Sequence, residues 1–310
     1  KIREDLNDNK TIEIACKKFN IPINNVIQAN IVKKSIDARD KTDIFYNYSI
    51  MVEINDKGLC DKLAKAKNVQ VVDFEKQERL DGITVSRKSN KRPVIIGAGP
   101  AGLFCALSMV ENGVKPIIIE QGKKVEERSK DVELFRKGGT LNTMSNVQFG
   151  EGGAGTFSDG KLTTNLHSPL CRTVIEQFVR FGAPSQISYM NKPHIGTDNL
   201  IKILANIRNY IIEKGGTFLY NTKAENFTFN DGKVTEVIYS NHNLETSNEN
   251  QNSEIGIDTD CVVLAIGHSS RDLFKTLYEK DVYMEPKNFS VGVRIEHKQE
   301  MINKSQYGEN

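Results

Sequence analysis

The stretch "VIIGAGPAG" (94–102) constrains the fold of this chain more than any other part of its sequence. An apolar run typical of a buried strand leads directly into Gly97, Gly99 and Gly102, at the spacing G-x-G-x-x-G. In such a turn the first glycine permits the sharp bend, the second lets backbone approach a pyrophosphate, and the third lets the next helix pack on the sheet. The stretch therefore predicts a dinucleotide site at a helix N-terminus, where free N–H groups favour negative charge.

The residues around the turn supply the context that a lone glycine motif lacks. "LFCALSMVENG" (103–113) has helical periodicity, and "KPIIIE" (115–120) predicts a second parallel strand. This strand ends at Glu120, near the position ~20 residues after the motif where a carboxylate binds ribose hydroxyls. A carboxylate at this point disfavours the ribose 2′-phosphate of NADP, whereas the spacing alone leaves both FAD and NAD open.

The longer stretch "VIIGAGPAGLFCALSMVENGVKPIIIE" (94–120) resembles the FAD-binding fingerprint of the glutathione-reductase-like flavoproteins. Pro100 and Ala106 stand where that fingerprint commonly has them. The resemblance implies FAD as the bound nucleotide, with contacts from Gly97, Gly99, Pro100, Ala101, Gly102, Glu120 and Gln121. In related flavoproteins an arginine near the position of Arg128 reaches the nucleotide, and a solvated helix surface is the alternative for this residue.

Two further segments are candidates for the same site. "FGEGGAGTFSDGKLTTN" (149–165) is rich in glycine, and its backbone N–H groups can surround a pyrophosphate or a flavin ring, with a flexible loop as the alternative. "VVLAIGHSSRD" (262–272) reads as a strand that ends in glycine, and in such flavoproteins a strand of this kind returns to the cofactor. We therefore expect additional cofactor contacts from Gly153, Gly155, Thr156, Asp159, Gly160, Lys161, Ala224, Gly267, His268, Ser269 and Arg271.

Longer segments extend the resemblance to nearly the whole chain. They read "IVKKSIDARDKTDIFYNYSIMVEI", "VQFGEGGAGTFSDGKLTTN", "KPHIGTDNLIKIL", "AIGHSSRD" and "FSVGVRIEHKQEMINKSQYG". Together they resemble a largely uncharacterised family of bacterial FAD-dependent dehydrogenases, within the glutathione-reductase-like FAD/NAD(P)-binding superfamily. That family continues past the position of "KSQYGEN" (304–310) into further substrate-domain residues and a Gly-Asp pair that contacts FAD. We therefore expect residues 281–310 to begin a substrate domain that is truncated here.

The order of elements predicts an α/β protein with a small additional domain at its start. Residues 1–88 suggest a ferredoxin-like α+β domain without its first strand. Its helices and strands are expected, in the order α-β-β-α-β, at 11–20, 24–38, 43–54, 58–67 and 69–74. The polar, basic stretch 86–93 reads as a linker. Residues 89–280 predict a doubly wound FAD/NAD(P)-binding, Rossmann-like domain, with an Asn-rich hairpin tip at 241–254.

Composition excludes several other classes of protein. The net charge of +2 gives no strong field for DNA, and no apolar run approaches the ~20 residues of a membrane helix. The N-terminal domain has no obvious basic, aromatic surface, which disfavours RNA. The five cysteines are scattered without a C-x-x-C pair, and the chain opens on polar residues rather than a signal peptide. We therefore expect a cytoplasmic setting, with no disulfide scaffold and no metal site.

No catalytic constellation stands out in the sequence. His268 in "IGHSSRD" and His194 in "KPHIGTD" are candidate proton donors beside a flavin, and Lys161 can place positive charge near a reduced flavin. A local hydrogen bond that shapes a turn is the alternative for each histidine. Arg294 and Glu296 alternate along a predicted strand at "VRIEH" (293–297), where they face either a substrate or water.

These observations together predict an FAD-dependent oxidoreductase that passes hydride or electrons through the flavin to or from a small molecule. NAD(P)H is a candidate external electron donor. The alternative functions are a non-catalytic FAD-binding fragment and a flavin-dependent regulatory or RNA-associated protein.

Overall fold

The structure, a computed structural model, describes residues 1–72, 89–157, 160–241, 255–289, 291–293 and 295–308. Within these ranges the strands form three sheets, with two, four and three strands. The smallest sheet belongs to an N-terminal unit, and the other two belong to the part of the chain that follows residue 88. None of the described helices combines the length and the apolar character needed to cross a bilayer.

The N-terminal unit is an antiparallel strand pair flanked by helices. In chain order its elements are α1 (Asp8–Lys18), β1 (Val26–Asp37), β2 (Phe45–Ile54) and α2 (Lys57–Leu63). Asn7 caps α1 by accepting a hydrogen bond from the Lys10 N–H, and Asp56 caps α2 by accepting one from the Leu59 N–H. The two predicted helices and the first two predicted strands are therefore confirmed, with boundaries shifted by a few residues.

The strand predicted at 69–74 is wrong over its described part. Residues 69–72 have no strand pairing, and the side chains of Val71 and Val72 are 65% and 56% exposed. A strand needs a neighbour to pair its backbone and to help bury one face, and no described strand supplies this. Residues 73–74 lie outside the described part of the chain. The unit therefore shows an α-β-β-α order, and the third strand on which a ferredoxin-like arrangement depends is missing from the described residues.

After residue 88 the chain alternates strands and helices, as the sequence predicts. In chain order the elements are β3 (Val94–Ile96), α3 (Pro100–Glu111), β4 (Ile117–Ile119), α4 (Val125–Arg136), α5 (Leu170–Arg180), α6 (Thr197–Glu213), β5 (Thr217–Leu219), β6 (Thr222–Asn230), β7 (Lys233–Asn241), β8 (Ile255–Asp258), β9 (Val262–Leu264), α7 (Arg271–Glu279) and α8 (Gln299–Tyr307). A parallel sheet has the order β5-β4-β3-β9, and an antiparallel sheet has the order β6-β7-β8. In the parallel sheet β4 and β5 lie in sequence order on one side of β3, and β9 lies on the other side of β3. This is the strand order of a dinucleotide-binding fold.

Layers on both faces of the parallel sheet explain why its inner strands are apolar at every position. Ile95 and Ile118 pack with α3 and α6 on one face. Val94, Ile96 and Ile119 pack with β6, β7 and α7 on the other face. A strand that is covered on both faces has no polar side and therefore no alternation.

The N-terminal unit is joined to the second unit beside β1. The Lys34 N–H donates a hydrogen bond to the Tyr189 carbonyl, and the Asn191 N–H donates one to the Lys34 carbonyl. The Tyr189 hydroxyl also donates to the Asp8 carboxylate. Backbone pairing with β1 therefore fixes the segment that leads into α6.

The described end of the predicted linker lies against the parallel sheet. Arg92 donates hydrogen bonds to the carbonyls of Lys115, Pro116 and Gly215, at the amino ends of β4 and β5. The Thr259 hydroxyl donates in turn to the Arg92 carbonyl. This residue therefore holds the starts of the strands together and is not part of a solvated link.

Two other predicted features fall at the limits of the described residues. The hairpin tip predicted at 241–254 lies outside them except for Asn241, and the strands on either side of it, β7 and β8, pair antiparallel. The strand predicted at 293–297 is not formed over its described residues, because 293 and 295–297 have no strand pairing and the side chains of Val293 and Ile295 are exposed. Arg294 lies outside the described residues.

We expect the substitution Ile118→Ala to lower the free energy of unfolding by about 2–5 kcal/mol, because it removes buried carbon atoms from the middle of the parallel sheet. Ile118 has no exposed surface, whereas Leu166 is 65% exposed, so Leu166→Ala is a matched control. Urea unfolding followed by circular dichroism measures both changes. A loss below about 0.5 kcal/mol for Ile118→Ala would be the value of a surface position and would contradict this core.

Candidate functional site

A cavity of about 590 Å³ lies at the carboxyl ends of the parallel strands. Its wall comes from segments at 96–101, 119–121, 143–154, 222–224 and 265–273. In open parallel sheets this edge is where ligands bind. A larger cavity of about 720 Å³, beside β6 and the end of α7, contains none of the predicted site residues. The smaller cavity is therefore the candidate site.

The glycine turn that follows β3 forms part of the cavity wall. Gly102 permits the close contact on which the turn depends, because a Cβ at this residue would lie 1.9 Å from the Gly97 carbonyl oxygen. Helix α3 consequently begins at the cavity, with Gly99 as its N-cap and Pro100 as its first residue. The first N–H groups of a helix have no partner within it, and the helix dipole is positive at this end. This part of the wall therefore suits a pyrophosphate.

Glu120, which directly follows β4, lines the same cavity. Its side chain is nearly buried, and two backbone groups orient it. One carboxylate oxygen accepts a hydrogen bond from the Ala98 N–H at 2.8 Å, and the other accepts one from the Gly122 N–H at 2.9 Å. A carboxylate oxygen can accept more than one hydrogen bond, so both remain able to bind ribose hydroxyls.

The second glycine segment (149–165) contacts the glycine turn (97–102) directly. The Gly152 N–H donates to the Ala98 carbonyl at 2.8 Å, and a Cβ at Gly153 would lie 3.3 Å from the Gly99 Cα. Gly153 lines the cavity as predicted. The predicted residues Gly155, Thr156 and Gly160 are not in the cavity wall, and Asp159 lies outside the described residues.

Arg128 does not lie on a solvated helix surface, which was one of the two settings predicted for it. Its side chain is fully buried and does not line the cavity. Its guanidinium donates hydrogen bonds to four backbone carbonyls, at distances of 2.6–3.2 Å, which belong to Asn146, Val147, Gly150 and Glu151. Burial lowers the pKa of Arg128 to about 10, so the group stays charged at neutral pH. The four carbonyl oxygens stabilise this charge.

Glu151 is the centre of a buried network that the sequence reasoning missed. Its carboxylate accepts hydrogen bonds from the Val125 N–H, the Tyr220 hydroxyl and Arg208, at 2.7–2.8 Å. Burial, together with the Glu151 charge, raises the pKa of Tyr220 well above its usual range, so this hydroxyl keeps its proton and donates it. Arg208 also contacts Glu126 through both terminal nitrogens, and this contact raises the pKa of Arg208. The network ties α4, α6 and the end of β5 to the second glycine segment.

The segment after β9 completes the cavity. The predicted residues Gly267, His268, Ser269 and Arg271 all lie in its wall, as do Ala101, Gln121 and Ala224. The Ser269 hydroxyl is 3.4 Å from the His268 ring. The structure therefore brings the first and third predicted segments together around one space.

The other two predicted catalytic residues lie apart from His268. Lys161 and His194 face each other in an isolated antiparallel bridge, supported by a hydrogen bond from the Ile195 N–H to the Gly160 carbonyl. Both residues are exposed, and neither lines the cavity. The predicted catalytic set is therefore divided between two places.

Several residues of the cavity wall were not predicted. They include Thr143, Met144, Gln148, Phe149, Lys223 and Asp272. Lys223 contacts Asp272 at 3.3 Å and Glu225 at 3.2 Å across the rim. The residues at 143–149 show no helical or strand periodicity, so their position could not be inferred from the sequence. Contacts with the buried Arg128 determine the path of this loop instead. Among the described residues, no group of three or more His, Cys, Asp or Glu side chains is arranged to hold a metal ion.

Comparison with protein families identifies the second unit. Residues 91–301 match the family described as pyridine nucleotide-disulphide oxidoreductase. The chain belongs to this family. Membership confirms the predicted FAD/NAD(P)-binding fold. Residues 1–53 match a domain of unknown function, DUF8436.

An uncharacterised protein of Clostridium beijerinckii is 42% identical to this chain over 295 residues, which are 95% of this chain and 52% of that protein. The chain thus spans about half the length of this relative. The solved structures similar to it include THI4 from Thermovibrio ammonificans, with 16% identity, a TM-score of 0.42, and coverage of 63% of this chain and 64% of that one. Glycine oxidase from Bacillus cereus has 15% identity, a TM-score of 0.38, and coverage of 62% and 58%.

We expect Glu120→Ala to weaken FAD binding by about 1.5–3 kcal/mol, roughly tenfold or more, because it removes a charged acceptor from the cavity. Titration of flavin fluorescence measures the affinity. Glu133→Ala is the control, since Glu133 is an exposed carboxylate on α4 whose contact is Lys137. Unchanged affinity in a folded Glu120→Ala protein would contradict the assignment of this carboxylate to the ribose.

Proposed function

We propose that this chain is the FAD-binding part of an oxidoreductase that passes hydride or electrons to or from a small molecule. One observation carries the proposal: the N-terminus of α3, the Glu120 carboxylate and Gly153 meet at one cavity. These are a site for a pyrophosphate, an acceptor for ribose hydroxyls, and a backbone approach without a side chain. The family described above supports the same reading.

The cavity wall suggests which residues would hold each part of FAD. The pyrophosphate would lie at Gly97–Gly102, and the adenosine ribose at Glu120. The adenine would lie toward Ala224 and 265–273. When bound, the flavin supplies the site that exchanges hydride or electrons. The chain's own part is to orient the nucleotide, to neutralise the pyrophosphate with helix N–H groups and to exclude water from the adenosine half.

Lys161 and His194 are proposed as the residues that act on the substrate side. Residues opposed in an antiparallel bridge direct their side chains to the same face, so an ammonium and an imidazole share one surface. Such a pair can bind an anionic group through the ammonium and donate or accept a proton through the imidazole. His268, in the cavity wall, is proposed to contact the nucleotide instead.

NAD(P)H is proposed as the external electron donor, with a small molecule as the substrate. A pyridine nucleotide is part of the family's description, which supports the first of these. The net charge of +2 supports a chain without DNA or RNA as a partner. The described cysteines are all free thiols, which supports a cytoplasmic setting.

A second candidate function is a module that binds FAD without turnover of its own. The separation of His268, in the cavity wall, from the Lys161–His194 bridge outside it favours this candidate.

We expect the purified protein to bind FAD in preference to NAD and to show the visible absorption of an oxidised flavin. Chromatography of the nucleotide released by denaturation identifies which one is bound. Bleaching of the visible band by NADH or NADPH without oxygen would support the oxidoreductase, and FAD that stays oxidised would support the second candidate. Released nucleotide that runs as NAD would contradict both.

We expect His268→Ala to weaken FAD binding about 3- to 10-fold, the value of one lost hydrogen bond, because His268 lines the cavity. His194→Ala is the matched change, and it should leave FAD affinity within about twofold since His194 lies outside the cavity wall. Equilibrium titration of both variants decides between them. The reverse order of effects would place the nucleotide beside the Lys161–His194 bridge.

A further inference from the structure

The loop at 142–151 is organised around a single buried cation. We name it the arginine-held loop. The Arg128 guanidinium donates to the carbonyls of Asn146 and Val147 through two of its nitrogens, and to those of Gly150 and Glu151 through the third. All four acceptors are backbone carbonyls, so this side chain fixes the path of the main chain and not the position of another side chain.

The loop backbone also rests on the aliphatic part of Arg128. A Cβ at Gly150 would lie 2.3 Å from the Arg128 Cδ, and Gly150 has a φ of +126°. On another side, the guanidinium carbon lies 4.8 Å from the centre of the Phe157 ring. The arginine is therefore enclosed on several sides, and its position and that of the loop depend on each other.

The same loop forms one wall of the candidate cofactor cavity. Thr143, Met144, Gln148, Phe149 and Gly150 contribute to this wall. Directly after the loop, Gly152 and Gly153 contact the pyrophosphate turn at Ala98 and Gly99. A change in the path of the loop would therefore alter both the wall and its contact with the glycine turn.

We infer that Arg128 is a positioning residue for the cofactor: it holds the arginine-held loop in its binding form without touching the nucleotide. The inference rests on the proposed function, since the ligand of the cavity is taken to be FAD. If the loop is already ordered before the ligand binds, no binding free energy is spent on ordering it. The affinity for the ligand is therefore higher. A lysine keeps the charge but lacks the planar fork that can bind four carbonyls at once.

Arg92 supplies a matched control. It also donates to several backbone carbonyls, but at the amino ends of β4 and β5, whereas the cavity lies at the carboxyl ends. Arg128→Lys and Arg92→Lys therefore remove similar contacts at opposite edges of one sheet. Both are expected to lower the midpoint of urea unfolding, and only the first is expected to act on the cavity.

The test measures the affinity of both variants for FAD and for ADP, well below their unfolding midpoints. Hydrogen exchange is measured in the same proteins without ligand. For Arg128→Lys we expect roughly tenfold weaker binding of both nucleotides, and faster exchange at 142–153. For Arg92→Lys we expect affinities within about twofold of wild type and unchanged exchange at 142–153. Gly150→Ala, which forces the backbone away from Arg128, should repeat the effects of Arg128→Lys.

Each other outcome contradicts a stated claim. If the wild type binds FAD and the folded Arg128→Lys and Gly150→Ala proteins bind it equally well, the positioning role is wrong while the proposed function stands. If Arg92→Lys weakens binding as much as Arg128→Lys, the effect is one of general stability and the positioning role is again wrong. If the wild type binds neither FAD nor ADP, the proposed function is wrong, and a role for Arg128 in holding the cofactor falls with it.

Discussion

The packing of α3 against the turn that precedes it sets the geometry of the whole site. At Gly102 the helix comes so close to the Gly97 carbonyl that no side chain fits between them. Within the same turn Ala98 is fully buried: its N–H donates to the Glu120 carboxylate, and its carbonyl accepts from the Gly152 N–H. One peptide segment therefore connects the helix N-terminus, the carboxylate and the second glycine segment. A shift of this turn would displace all three together.

Buried charges hold the second glycine segment from two directions. Arg128 binds the Glu151 carbonyl, while Arg208 and Tyr220 bind the Glu151 carboxylate. Removing one partner from a buried pair of this kind destabilises a protein by about 3–5 kcal/mol, because the other charge is left without compensation. The second glycine segment is thus held at Glu151 by several buried contacts, although its own sequence is rich in glycine, the residue with the greatest conformational freedom.

The parts of the site that sequence analysis could predict are those that depend on local backbone demands. The turn at Gly97–Gly102 and the carboxylate at the end of the next strand follow from residue types at short, fixed spacings. The role of Arg128 could not be predicted in this way, because its acceptors are backbone carbonyls 18–23 residues away, and every residue has a carbonyl. The partners of Glu151 on α6 and beside β5 are 57 and 69 residues away, and nothing in their local sequence links them. The separation of His268 from the Lys161–His194 bridge could not be predicted from local sequence either, because it is determined by long-range packing.

The place of β3 in the middle of the parallel sheet has a consequence for the nascent chain. One neighbour, β4, follows soon after β3 is made, but the other, β9, is far along the chain: Thr259 just before it contacts Arg92 across 167 residues. At about 5–20 residues per second the ribosome needs roughly 10–30 seconds to deliver that strand. During this interval one edge of β3 has its backbone groups unpaired and its isoleucines uncovered. Until β9 is made, this edge is therefore a place where strand pairing with another chain competes with folding of the second unit.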